Sequence, residues 1–371
     1  MNRTRTGCCV LLLVGVVLLA ASPVMALPVT GLYSHDVAVS DQSDAERGRA
    51  FREALEAVFV KVTGDERWLQ NSRLQQALDN AQNYVAGISY RSEPMPPPTG
   101  DVGVPLPQTT PRAREQNYLN VGFASDLVDQ LLSDAGVPIW DSSRPGIMVW
   151  LALQDANGER RFLNPVADQE IVNIMQEFST RRGVPIMFPL LDFEDRRNLS
   201  PDTVWALDEE AILQASARYD ADSVLAGRVH FTPSGELVGL WKFIFQDQRV
   251  QMDSVEDNLA DYIGLPLARA TEQLANHFAT VRNSFDRQRV RVHVDGVLDL
   301  SDYAGLMNYL QSMGLVNSVT PRMIDGNQLE LEVDVTGSGL QLNELILLDR
   351  NLMPVAGVNS DRPGMHYRWT R

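Results

Sequence analysis

The residues best suited to binding lie on two neighbouring strand-like runs in the middle of the chain, residues 224–231 and 237–245. Side chains alternate between the two faces of a β-strand, so Arg228 and His230 share one face of the first run. A Pro-Ser-Gly turn between the runs favours a hairpin, which would place Lys242 on the same face. The pattern therefore predicts a small cationic face formed by Arg228, His230 and Lys242.

This cationic face has two interpretations. In a chain with a formal net charge of −16, it would bind an anion or an acidic partner. Alternatively, the three side chains form the polar outer surface of a sheet whose other side packs a core containing Trp241, Phe243 and Phe245. Both interpretations place the aromatic residues inside the protein.

Two smaller polar groups have simpler explanations. Asp220 and Asp222 could bind Ca²⁺ or act as acid and base, but calcium needs about six or more oxygen ligands. The neighbouring residues follow no calcium-loop pattern, which favours a solvated turn. Residues 337–339, Gly-Ser-Gly, precede a helical pattern and could donate backbone N–H groups to an anion. A plain turn is the simpler interpretation there as well.

The sequence contains no established catalytic, cofactor or metal pattern. Its five histidines do not follow HExxH or another close-ligand spacing; they are His35, His230, His277, His293 and His366. The G-x-S-x-G elbow, the phosphate loop and G-x-G-x-x-G are missing from it too. We predict no catalytic, cofactor-binding or metal-binding residue. The alternative is a periplasmic hydrolase that uses scattered Asp, Glu and His residues.

The first 26 residues have the composition of a secretory signal peptide. Arg3 and Arg5 precede an uncharged apolar run at residues 10–21, and small residues stand at the two positions that a signal peptidase reads. Cleavage is predicted between Ala26 and Leu27, which places the mature protein in the periplasm without stable membrane insertion. An uncleaved inner-membrane anchor, and hence a tethered scaffold, is the alternative.

Cysteine and charge restrict the partners of the mature chain. Both cysteines, Cys8 and Cys9, precede the apolar run, so the mature protein would have no disulfide and no thiolate chemistry. Loss of Arg3 and Arg5 would change the net charge from −16 to −18. Coulomb repulsion then argues against nucleic acid as a partner.

Hydrophobic periodicity divides the chain into modules. We predict a signal peptide at 1–26, an N-terminal α/β domain at 27–145 with a Pro-rich loop at 93–112, a middle α/β domain at 146–285, a C-terminal domain at 286–358 and a flexible tail at 359–371. In the first domain, a capping box at Ser43 begins a helix that Gly64 ends. The solvent face of this helix should carry Glu53, Glu56 and Lys61.

The C-terminal domain has a recognisable order of elements. Residues 289–297 alternate strictly and are followed by helical, strand, strand, helical and strand patterns, the central pair surrounding an Asp-Gly-Asn turn. That order is ferredoxin-like. The fold class is therefore α+β or α/β, with several small mixed-sheet modules, helices packed on one face, and a ferredoxin-like module last.

A family resemblance supports this plan. The run from Tyr33 to Val37, the run from Lys61 to Gly64, Tyr84 and the turn at residues 138–140 together resemble the domain-of-unknown-function family 2066 of Gram-negative bacteria. That family has no established activity, so the resemblance implies no site residues.

A weaker, fold-level similarity involves residues 217–222 and 224–229. These resemble segments of periplasmic α/β modules such as the amino-terminal domain of TolB. Together with the signal peptide, this similarity predicts a non-catalytic binding or assembly protein of the cell envelope. Its partner would be another envelope protein, and the sequence leaves the oligomeric state open.

Overall fold

The structure is a computed structural model that describes residues 29–94, 115–155, 157–231, 237–256, 258–281, 287–355 and 364–370. The predicted cleavage site at Ala26 and Leu27, nearly all of the Pro-rich loop and the Pro-Ser-Gly turn lie outside these residues. Within the described ranges, no helix combines the length and the hydrophobicity needed to cross a membrane.

The N-terminal module is a three-stranded antiparallel sheet with helices packed on one face. Its strands lie in the order β1-β3-β2. Its elements are β1 (Ser34–Val39), α1 (Asp44–Thr63), α2 (Ser72–Leu78), β2 (Val85–Pro94), β3 (Glu115–Phe123) and α3 (Ser125–Asp134). As predicted, the Ser43 hydroxyl accepts a hydrogen bond from the backbone N–H of Glu46, and Gly64 ends α1 in the left-handed conformation.

The middle module has a mixed sheet in the order β5-β4-β7-β8-β9, with the short β6 also pairing with β4. Parallel pairing joins β4 to β7, and β7, β8 and β9 form an antiparallel meander. Its elements are β4 (Ile147–Gln154), β5 (Arg160–Phe162), α4 (Gln169–Arg182), β6 (Ile186–Met187), α5 (Phe193–Asn198), α6 (Pro201–Trp205), α7 (Glu209–Ser216), β7 (Ser223–Phe231), β8 (Leu237–Phe245), β9 (Gln248–Glu256) and α8 (Leu259–Phe278).

Helices cover both faces of this middle sheet, whereas the sequence predicted helices on one face. The face with Trp241 and Phe243 packs against α4 and α8. The opposite face, which includes Trp150, packs against the segment that contains α5, α6 and α7. The difference arises because β4 and β7 are parallel central strands, whose side chains are apolar on both faces.

The C-terminal module confirms the ferredoxin-like order of elements. Its helices pack on one face of a five-stranded sheet in the order β11-β12-β10-β14-β13. The elements are β10 (Arg287–Asp295), α9 (Leu300–Ser312), β11 (Val316–Asp325), β12 (Gln328–Thr336), α10 (Gly339–Asp349), β13 (Leu352–Pro354) and β14 (Met365–Trp369).

The end of the chain differs from the predicted flexible tail. Residues Met365–Trp369 form β14, which lies between β10 and β13 and pairs parallel to β10. Tyr367 is buried there and its hydroxyl donates a hydrogen bond to Asn343. The alternation of this short strand was hidden by its polar residues, which face away from the helices.

Candidate binding groove between the first two modules

The structure places the three predicted cations on one sheet face, as the alternation required. Arg228 pairs with Leu240 across β7 and β8, His230 pairs with Val238, and Lys242 pairs with Ala226. Trp241, Phe243 and Phe245 are buried on the other face. The strand register and the inward aromatic residues are thus confirmed.

The same face is covered by the chain that connects α6 to α7. Arg228 donates a hydrogen bond to the carbonyl of Trp205 at 3.0 Å, and its guanidinium lies 5.7 Å from the centre of the Trp205 ring. Lys242 donates to the carbonyl of Leu207 at 3.1 Å. Both cations therefore satisfy carbonyl groups at the end of a short helix, a structural role that leaves little of either for a ligand.

A larger concave site lies where the N-terminal and middle modules meet. It is a groove of about 820 Å³ between α1 and α4, closed at one end by the 3₁₀ turn Glu66–Gln70. This volume falls within the roughly 300–1,000 Å³ typical of ligand sites. The groove has an apolar floor and a polar rim, and is lined by His35, Glu53, Glu56, Ala57, Val60, Glu66, Leu69, Asn173, Gln176, Glu177, Thr180 and Arg181.

Hydrogen bonds join the N-terminal and middle modules at one end of the groove. The backbone N–H of Trp140, in the linker between α3 and β4, donates to the carbonyl of Val62 at 2.8 Å, which connects this linker to the end of α1. Arg144 is buried and donates to carbonyls of Trp140, Arg182 and Gly183. These bonds hold the two modules together at the C-terminal ends of α1 and α4, and the groove lies along the two helices beside this junction.

The rim of the groove is acidic, and two of its carboxylates have no protein partner. Glu53 is paired with Arg49 at 2.5 Å, and Glu66 with Arg182 at 3.1 Å. Within the described part of the chain, Glu56 and Glu177 make neither an ion pair nor a hydrogen bond through their side chains. Their exposed negative charges would favour a cationic group in the groove.

The positive charge around the groove offsets these carboxylates only in part, because Arg181 is the exposed cation of the lining, whereas His35 and Lys61 contribute less. Burial lowers the pKa of His35, and the nearby positive charge of Lys61 lowers it further. His35 therefore carries less positive charge near neutral pH than a free histidine does. Lys61 was predicted on the solvent face of α1 but is buried, and it donates to the carbonyl of Ser34 at 2.7 Å. Burial also lowers the pKa of Lys61.

The other polar candidates lie elsewhere. Asp220 forms an ion pair with Arg350, and Asp222 is half-buried at the junction with the C-terminal module, so the two are not a simple solvated turn. Ser338 caps α10 in a capping box, so its side chain accepts a hydrogen bond from the backbone N–H of Gln341. Within the described residues, no group of three or more His, Cys, Asp or Glu could hold a metal ion.

Sequence reasoning missed the groove because its two walls come from different modules. The acidic face of α1 was visible at Glu53 and Glu56, which are three residues apart. The partner wall, at Gln176 and Glu177 on α4, showed only as the polar side of an amphipathic helix. Nothing in either pattern shows that the two faces lie opposite each other.

Comparison with known proteins gives one partial match. The family model described as Domain of unknown function (DUF8605) matches residues 26–141. These residues comprise the N-terminal module and the start of the linker, which is less than half of the chain. No curated protein matches it. The resemblance to family 2066 and the similarity to TolB stay expectations.

Proposed function

We propose that this is a non-catalytic binding or assembly protein of the cell envelope, which acts in the periplasm and binds its partner in the groove between α1 and α4. The observation that carries the proposal is the combination of an apolar floor with unpaired carboxylates in one large concave site. Such a surface binds an apolar side chain and a cationic group together.

Export is supported by the composition of the first 26 residues. N-terminal sequencing of the protein from a periplasmic fraction should give Leu27 as the first residue. A protein that begins at Met1 and sediments with membranes would replace the periplasmic location with an inner-membrane anchor.

Binding in the groove can be tested by site-specific photo-crosslinking in cells. A photoreactive amino acid at Ala57, on the groove floor, should give a discrete cross-linked product. The same amino acid at Thr320, an exposed position on strand β11 of the C-terminal module, is the positional control.

Charge variants decide whether that product depends on the groove. Glu56→Gln with Glu177→Gln should abolish or strongly reduce cross-linking from position 57. Glu159→Gln with Glu210→Gln removes the same number of exposed carboxylates elsewhere and should leave it intact. Equal cross-linking in both double variants, or none in the unmodified protein, would exclude the groove as the binding site.

The alternative of a periplasmic hydrolase has a different requirement. An acid–base pair needs carboxyl groups of perturbed pKa that converge on a cavity. Burial raises the pKa of Asp222 to about 6 and also raises the pKa of Asp349. Neither residue lines the groove, which favours binding over catalysis there.

A further inference from the structure

The middle module presents an exposed apolar tip on the side of its sheet opposite the groove. Leu190 and Phe193 are 73% and 79% exposed, although they are large hydrophobic residues. They flank the start of α5. Together the two side chains offer a small apolar surface that a concave apolar site on a partner could cover.

A network of hydrogen bonds and ion pairs connects this tip to the rest of the middle module. The buried carboxylate of Asp195 accepts hydrogen bonds from the Leu191 backbone N–H at 2.8 Å and from the Tyr219 hydroxyl. Arg218 donates to Asp195 and, through both terminal nitrogens, to Asp192. Because the segment is already ordered, docking would cost little conformational entropy.

The backbone of the tip is strained at Leu191, which lies between Leu190 and Phe193. Leu191 has a φ of 53°, in the left-handed region that non-glycine residues rarely adopt, and its side chain is buried. This conformation turns Leu191 inward and leaves Leu190 exposed. Strain held by a surrounding network is frequent at functional segments.

Two arginines share the exposed side of α5 with Phe193. Arg196 and Arg197 lie three and four residues beyond it, and both are exposed. Neither makes an ion pair in the described ranges of the chain. The tip thus combines two apolar side chains with two free positive charges, in a protein whose formal net charge is −16.

The tip and the groove are complementary in chemistry. The groove has an apolar floor at Ala57, Val60 and Leu69, and on its rim the two free carboxylates of Glu56 and Glu177 outnumber the one exposed lining cation, Arg181. We propose that the groove of one copy of this chain binds the tip of a second copy, with Phe193 and Leu190 on the floor and the arginines against the glutamates. This inference rests on the proposed function and names its partner.

One copy cannot fill its own groove. The tip lies on the side of the middle sheet that packs against α6 and α7. One wall of the groove is α4, which packs on the opposite face of the same sheet. The contact is therefore heterologous, so copies add head to tail and extend into a chain unless the rotation between them closes a ring.

Sedimentation equilibrium of the purified protein tests this association. The weight-average mass should rise with concentration, with a dissociation constant below about 1 mM. Arg196→Glu with Arg197→Glu should abolish the rise, and so should Glu56→Arg with Glu177→Arg. Phe193→Ser should weaken association at least about tenfold through lost apolar burial. Thermal unfolding of each variant establishes that it is folded.

Mixing distinguishes this contact from general charge effects. The tip variant and the groove variant should each be monomeric alone but associate when mixed, since each then supplies the partner surface that the other lacks. A chain carrying all four reversals should associate with itself. A monomeric wild-type protein, or variants that associate as wild type does, would overturn self-docking. Loss of self-docking with a retained cross-link to another protein from Ala57 would leave the proposed function standing.

Discussion

The middle module meets its two neighbours in different ways. At the N-terminal junction, Glu56 and Glu177 remain exposed on either side of a groove. At the C-terminal junction, half-buried carboxyl groups are hydrogen-bonded within the protein: Asp349 accepts a hydrogen bond from Ser143 at 2.8 Å, and Asp141 accepts one from the Gly314 backbone N–H. The presence of acidic residues alone therefore does not indicate a binding site. Their burial and hydrogen bonds decide whether they hold two modules together or remain available to a partner.

The cationic face formed by Arg228, His230 and Lys242 shows that the same holds for positively charged residues. Arg228 and Lys242 looked available in the sequence, yet each is bonded to a carbonyl of the segment that closes over them. Charges that the chain itself satisfies contribute to stability. Charges left unpaired at a concave surface are the ones available to a partner.

The largest loss of stability is expected from a substitution that disturbs the packing at the N-terminal junction. A methyl group at Gly64 would lie 2.7 Å from the Trp140 ring and 2.9 Å from the Ala275 side chain, and φ there is +72°. Gly64→Ala should lower the free energy of unfolding by about 3 kcal/mol and remove cross-linking from the groove. Gly48→Ala, in the same helix with open space around it, should not destabilise the protein. Chemical denaturation measures both, and equal stabilities would contradict the close packing.

At the C-terminal junction, the half-buried carboxyl group of Asp222 should make the stability of the protein depend on pH. The pKa of Asp222 is raised from 3.8 to about 6, mainly by burial. The folded state therefore holds this proton more tightly than the unfolded state. Its contribution to stability is fully present below pH 3.8 and is lost as the pH rises through about 6.

Asp222→Asn should consequently be more stable than the wild type above pH 6, by about 2 kcal/mol. The two proteins should become equally stable well below pH 3.8, where Asp222 is protonated in both the folded and the unfolded state. Urea denaturation at a series of pH values gives the comparison. A constant difference across that range would show that Asp222 is not the titrating group.

Substitutions on the covered cationic face should change the stability of the protein and leave partner binding unchanged. Arg228→Ala removes the hydrogen bond to the Trp205 carbonyl and the contact with its ring, and should cost about 1.5 kcal/mol. Arg197→Ala removes an exposed, unpaired arginine and should change stability by less than about 0.5 kcal/mol. Both values follow from thermal or chemical unfolding. If Arg228→Ala instead left stability intact and reduced partner binding, the original interpretation of this face would be restored.

The smallest change in stability is expected in the groove. Glu56→Gln with Glu177→Gln breaks no bond within the described residues and should alter the free energy of unfolding by less than about 0.5 kcal/mol. The effect should appear only in partner binding. A loss of more than about 1 kcal/mol would mean that these carboxylates stabilise the junction.

Local patterns in the sequence predicted much of the secondary structure. The capping box at Ser43, the left-handed glycine at position 64 and the alternation in β7, β8 and β10 each depend on neighbouring residues. The order of elements in the C-terminal module followed from the same signals. The buried aromatic side of the β7–β8 hairpin was correct for the same reason, since alternation is a property of the strand itself.

Only the tertiary structure decided which polar residues remain available. Whether Arg228 is free depends on the path of α6 and α7, and whether Lys61 is exposed depends on the strand that packs beside α1. The groove depends on two helices from different modules, about 120 residues apart in the chain, which is the separation of Glu56 from Glu177. Long-range packing sets burial, and burial determines whether a charge is satisfied within the protein or left for a partner.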